Sequence, residues 1–355
     1  MKEKSKRVLY YDLLNIAACI AVIALHHNGL VHTFTGDKIW KECLLVEVGF
    51  YWAVPIFLML SGATLMNYRK KYSTKTFFSK RLSRVVFPWI FWSFVMIAQK
   101  IIEGQYTLES CRPKAVLSIL LNCEIENVYW FFPVIIGIYM FLPLLSQLAQ
   151  EQYRKTLWYI VGYGVLVNGT VPLLCEVAGI QWNGSLLSPL NGYYTFFILG
   201  YLLSTEDICK KWRIIIYVNG FLCACIRYCG IYYLSFRDGT KNSLLFNYEQ
   251  FHVFGLAIAV FVLFKYIQWD KALNVTIQNG VSKIAGCSLG VYLIHICVMT
   301  YEKKIFHIQE SSLWWRNWGG YLNNIHNLSF DCNGCKTYSS YKKDFPIKQR
   351  VVANG

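Results

Sequence analysis

Charge is scarce in this chain, and acidic charge most of all. Only 15% of its 355 residues are charged, and Asp and Glu together number 20. A soluble domain carries about 25% charged residues. With so few charges and so much apolar content, the chain is neither disordered nor fibrous. Several catalytic signatures are also missing. The sequence holds no P-loop, G-x-G-x-x-G, H-E-x-x-H or G-x-S-x-G, which argues against an ATPase or a soluble-type hydrolase. Its 13 cysteines do not form a disulfide framework. Cys19, Cys175, Cys223, Cys225, Cys229, Cys287 and Cys297 fall inside apolar runs, where a thiol behaves as a small hydrophobe. Cys111 and Cys123 share one loop and could pair. The Cys332-x-x-Cys335 motif lacks a second ligand pair, so no metal is expected.

Apolar and basic residues are what the chain has in quantity. It is 55% hydrophobic and 17% aromatic, and 35 Lys and Arg leave a net charge of +15. The basic residues lie between apolar runs, not along one helix or sheet face, so nucleic acid is not the expected partner. The pattern predicts an all-α, polytopic membrane helical bundle whose first partner is the lipid bilayer. Nine segments qualify as spans or nearly so: Asp12–Val31, Cys43–Met66, Val85–Ile102, Val128–Leu148, Leu157–Ala178, Gly192–Leu203, Ile214–Leu234, Phe251–Ile267 and Ile284–Tyr301. The basic start, MKEKSKR, runs directly into apolar sequence without a small-residue cleavage site, so no cleaved leader is expected.

Loop charge sets an expected orientation. The N-terminal arm is basic, and so is the loop Asn67–Arg84. Basic residues also follow the fourth span (Arg154, Lys155), the sixth (Lys210, Lys211, Arg213) and the eighth (Lys265, Lys271, Lys283). The intervening loops are neutral or acidic, so the N-terminus is expected in the cytoplasm. A tenth span should follow Ser312. That region instead carries Arg316, Asn317, Asn323, Asn324, His326 and Asn327, which insert poorly into a bilayer. Asn, His, Asp, Cys and Tyr codons, read one base later, encode Ile, Thr, Val, Ala and Met. Residues 320–345 are therefore read as a frameshifted tenth helix within a single 1–355 domain. Stop codons or polar residues in the +1 frame of the coding DNA would rule this out.

Some residues stand out for their chemistry. His26 lies 14 residues after Asp12, about 21 Å along a helix and past the bilayer middle. A histidine within a span is a functional candidate by default and suits general-base work. His27 points about 100° away, and His32 reads as loop. Glu47 lies near the outer end of the second span, where Ser61 and Gly62 permit close helix approach. Arg81 and Arg84, at i and i+3, are expected on one helix face at the cytoplasmic mouth, either as the ordinary basic flank of the span or as a pair that could grip phosphates. Trp130 is expected at the outer interface and His252 likewise. Arg227 sits near the depth of His26, and His295 near the middle of the membrane.

Six segments, in order, carry a resemblance: YDLLNIAACIAVIALH, VPIFLMLSG, FFSKRLSRVVFPWIFWS, VYWFFPVIIGIYMFLP, YYTFFILGYLLS and SLGVYLIH. Together they resemble the acyltransferase-3 family of integral membrane acyltransferases, from Tyr11 to about His295. The resemblance implies ten membrane helices, residence in the bacterial cytoplasmic membrane, and transfer of an acetyl or other acyl group. The donor is expected to be cytoplasmic acetyl-CoA and the acceptor a hydroxyl on a cell-surface polysaccharide or related glycan. His26 matches the family's first-helix histidine, and Arg81 and Arg84 its paired arginines. Ser61, Trp130 and His295 fall on its motif positions. Asn15 departs from the pattern, because the family commonly carries a basic residue there. Two other readings stay open at this point: a transporter or flippase for a glycan or lipid-linked intermediate, and a product without activity.

Overall fold

The computed structural model describes residues 8–188 and 190–306. The suspect segment 320–345 and the expected tenth span lie outside the described residues. Within them the chain is helical and contains no strand. Fourteen α-helices follow in order: α1 Leu9–His27, α2 Lys38–Phe50, α3 Ala53–Leu65, α4 Thr74–Arg81, α5 Phe87–Ile102, α6 Pro113–Leu121, α7 Phe131–Leu145, α8 Arg154–Gly164, α9 Val171–Val177, α10 Gly192–Thr205, α11 Lys210–Asp238, α12 Phe251–Tyr266, α13 Trp269–Ala272 and α14 Val275–Phe306. Seven helical stretches among the described residues are long and apolar enough to cross a bilayer. The sixth and eighth expected spans are the shorter α10 and α12, of 14 and 16 residues, about 21 and 24 Å long. The protein is an all-α, multi-pass membrane protein.

Proline shapes three of these stretches. The second span is not one rod: it breaks at Tyr51–Trp52 between α2 and α3, three residues before Pro55. In the third and fifth, the turns Leu82–Val86 and Val165–Thr170 are π-helical. Pro88 and Pro172 each follow two residues after such a turn. A proline cannot donate to the carbonyl four residues back and collides with it. The extra residue in a π-turn moves that carbonyl, here of Arg84 or Asn168, out of the way.

Small residues set how closely the helices approach. A side chain at Gly62 of α3 would run into the Phe197 carbonyl of α10, and one at Gly200 into Met59. The two helices therefore cross almost backbone to backbone, with Phe196 and Phe254 stacked beside them at 3.9 Å. Outward positions are apolar as well. Phe87, Phe91 and Phe94 repeat on one exposed face of α5, as a lipid-facing helix requires. The described cysteines are all free, Cys111 and Cys123 included. Cys123 instead turns its thiol onto the carbonyls of Leu120 and Tyr129, so the pairing their shared loop would permit is not formed.

Candidate active site

The seam between α1 and α14 positions the central histidines. Asp12 accepts from Ser282 at 2.8 Å, and Asn15 donates to the Ala285 carbonyl and the Ser288 hydroxyl. Cys19 reaches the Ser288 carbonyl, His26 meets His295, and His27 lies 3.5 Å from Glu302. Contacting residues keep an almost constant offset in number along the whole length of α1. The two helices therefore run in the same direction. Asn15, Cys19, Val22 and His26 recur at helical spacing, so one strip of α1, polar at its two ends, faces α14.

At the far end of this strip the His26 Nδ1 lies 2.7 Å from the His295 Nε2. Their ring centroids are 4.8 Å apart and their planes 18° apart. With nitrogens so close and centroids so far, the rings meet edge to edge, with no face-to-face overlap. The other ring nitrogen of His295, Nδ1, lies 2.6 Å from the Tyr292 carbonyl. His295 is buried, whereas His26 is half-buried. The neighbouring His27 donates from Nδ1 to the Ile23 carbonyl and faces Glu302. As the 100° offset predicts, it takes no part in the histidine pair.

A cavity of about 360 Å³ opens below the pair. Its wall includes Asp12, Asn15, Ser61, Arg81, Ser288 and Tyr292. It stops at Tyr292, three residues and about 4.5 Å short of His295 along α14. His26 is not part of its lining. Arg81 leans over the rings of Phe77 and Tyr139, at 5.8 and 5.6 Å. Its Nε is buried without a hydrogen-bond partner among the described residues. Arg84 is exposed and does not line the cavity. The expectation that both arginines share a face assumed a regular α-helix. Arg84 lies in the π-turn, where a three-residue step no longer returns to the same side. Ser61 donates to the Phe57 carbonyl at 2.8 Å and presents its oxygen to the cavity.

The remaining candidates gather elsewhere. Arg227, 1% exposed, lies 3.9 Å from the buried Glu47. It also bonds the Leu245 carbonyl, meets His252 at 3.3 Å, and lies 3.4 Å over the Tyr51 ring. Tyr51 stacks on Tyr248 at 4.3 Å, and Tyr248 on Trp130 at 5.7 Å. His252 is therefore a buried partner of Arg227, not an interfacial residue. Outside the spans, Lys241 meets His32 at 2.6 Å. Burial, with the Lys241 ammonium beside it, lowers the His32 pKa. Tyr292, Tyr51 and Tyr248 were not singled out from sequence. Only Tyr292 carried a local signal there, three residues before His295 and hence on the same helical face.

Fold and seam together define a helical membrane protein with a paired-histidine centre above a one-arginine cavity. Residues 8–323 match the family Acyl_transf_3, described as an acyltransferase domain. The chain belongs to the acyltransferase-3 family and is a membrane acyltransferase. No curated protein and no solved structure matches it.

Proposed function

We propose that the protein moves an acetyl group from cytoplasmic acetyl-CoA to a hydroxyl of a cell-surface glycan, with His26 as general base. The observation that carries this reading is the α1–α14 seam. It joins the Arg81 cavity to the half-buried His26 along one strip. Asn15 and His26 are 11 residues apart, about 16 Å along α1. A substrate reaching from one to the other needs a long, narrow arm, as acyl-pantetheine is.

The cavity offers a lining for the part of that arm nearer Arg81. Its walls are mainly Phe, Leu, Ile and Tyr, suited to a hydrocarbon-rich chain. The buried Arg81 Nε offers an unspent donor for a phosphate oxygen. Asn15 brings no charge, and its amide is already committed to Ser288 and Ala285. Arg81 is thus the cation assigned to the donor.

The His26 Nε2 accepts the proton of the acceptor hydroxyl as its oxygen attacks the thioester carbonyl. The C–S bond breaks, the ester C–O bond forms, and the thiolate leaves with the proton held by the imidazolium. The donor arrives from the cytoplasmic face and the glycan from the opposite face. Purified protein in lipid should consume acetyl-CoA only when cell-wall glycan fragments are added. Glycan movement across the membrane with no acetyl-CoA consumed would favour a transporter instead.

A further inference from the structure

His295 is buried and does not line the cavity, yet its contacts fix what His26 can do. A carbonyl oxygen only accepts, so the His295 Nδ1 facing the Tyr292 carbonyl carries a proton. In the neutral ring the opposite nitrogen, Nε2, is then bare and can only accept. The His26 Nδ1 lies 2.7 Å from that bare nitrogen, so it must donate. The remaining nitrogen of His26, Nε2, is left with a free lone pair. It makes no hydrogen bond among the described residues. Each assignment forces the next, starting from a backbone carbonyl that cannot change its role.

We infer that His295 is a positioning residue. It holds His26 in the tautomer that carries the proton on Nδ1 and leaves Nε2 basic toward the acceptor hydroxyl. This rests on the reading of His26 as general base. Neutral imidazole left to itself prefers the proton on Nε2, the tautomer that would block proton abstraction there. A ring bonded at only one nitrogen also rotates. The in-line contact with His295 removes both failures: it fixes the proton's site and the ring's direction.

Supporting packing keeps His295 itself in place. The Tyr129 hydroxyl donates to the Leu293 carbonyl at 2.9 Å, and the Tyr292 ring tilts against His295 at 5.5 Å. The Tyr292 hydroxyl in turn bonds the Val128 carbonyl. The turn before α7 thereby grips the segment of α14 that supplies the controlling carbonyl. The other titratable groups near the pair are His27, turned to Ile23 and Glu302, and Tyr129 and Tyr292, both committed as donors.

The test has two arms on the full-length protein in lipid. The first needs no substrate: ¹⁵N spectra of ring-labelled histidine, with His26 assigned by comparison with His26→Ala. The wild type should show a protonated Nδ1 and a bare Nε2 at His26, and His295→Leu should move the proton to Nε2. A wild-type proton on Nε2 would overturn the inference. The second arm follows thiol release from acetyl-CoA with cell-wall glycan fragments. His295→Leu should lower kcat by about 10²-fold with the donor KM unchanged. His295→Gln, whose amide oxygen can still accept, should recover much of that loss. Equal losses in the two variants, or a loss confined to KM, would overturn it. An active His26→Ala variant would instead defeat the general-base reading and leave the tautomer result standing.

Discussion

Arg81 and Arg84 look interchangeable in sequence, and the structure separates them. Arg81 borders the cavity with a buried, unpaired Nε, while Arg84 faces outward from the π-turn. Charge reversal at Arg81 should therefore raise the donor KM by about tenfold or more, the scale of one lost charge-assisted hydrogen bond. The same change at Arg84 should leave it within about twofold. Steady-state kinetics with varied acetyl-CoA checks the pair, and equal effects would return both to a common surface role. His32 gives a pH prediction. Its folded pKa lies below the ordinary histidine value because of burial and Lys241. The unfolded chain thus takes up a proton first, and stability falls as pH drops below the unfolded value. His32→Ala should flatten the acid-side fall in Tm. An unchanged slope would show that the contact with Lys241 does not matter for stability.

Among the helices, α3 and α10 depend most visibly on missing side chains. Gly62 faces the Phe197 backbone, next to Ser61 in the cavity wall. Gly62→Ala should push the two helices apart and cost about 1–3 kcal/mol, lowering Tm and distorting the cavity together. Native stability with full activity would show that the crossing yields more easily than its geometry implies. Seven of the expected spans were legible in the sequence as helical stretches long and apolar enough to cross a bilayer, because a continuous apolar run of that length has few other uses. The break before Pro55 and the π-turns before Pro88 and Pro172 were less so. Proline announces a disturbance, but whether a helix breaks or bulges depends on what packs around it. The seam was least legible. His26 and His295 each drew attention alone. Their pairing joins residues 269 apart in the chain, and no local pattern encodes that register.

The molecule as a whole has a direction. Helices α1 and α14 run parallel, which fits their reading as first and ninth spans with an even number of crossings between their starts. From the basic loops we propose that the N-terminus lies inside. Two native cysteines serve as reporters: Cys111, in the loop before α6, and Cys209, just before α11, are both exposed. A membrane-impermeant thiol reagent on intact cells should label Cys111 and spare Cys209, and inverted vesicles should reverse this. Labelling of both from one side would break the topology and the two-sided access that the proposed reaction needs.

That reaction is tested most directly by transfer of a radiolabelled acetyl group from acetyl-CoA to cell-wall glycan fragments. Wild-type protein and His26→Ala would be compared in lipid at matched Tm. The wild type should place label on the glycan, and His26→Ala should place none above background. Equal labelling by the two proteins would contradict the account.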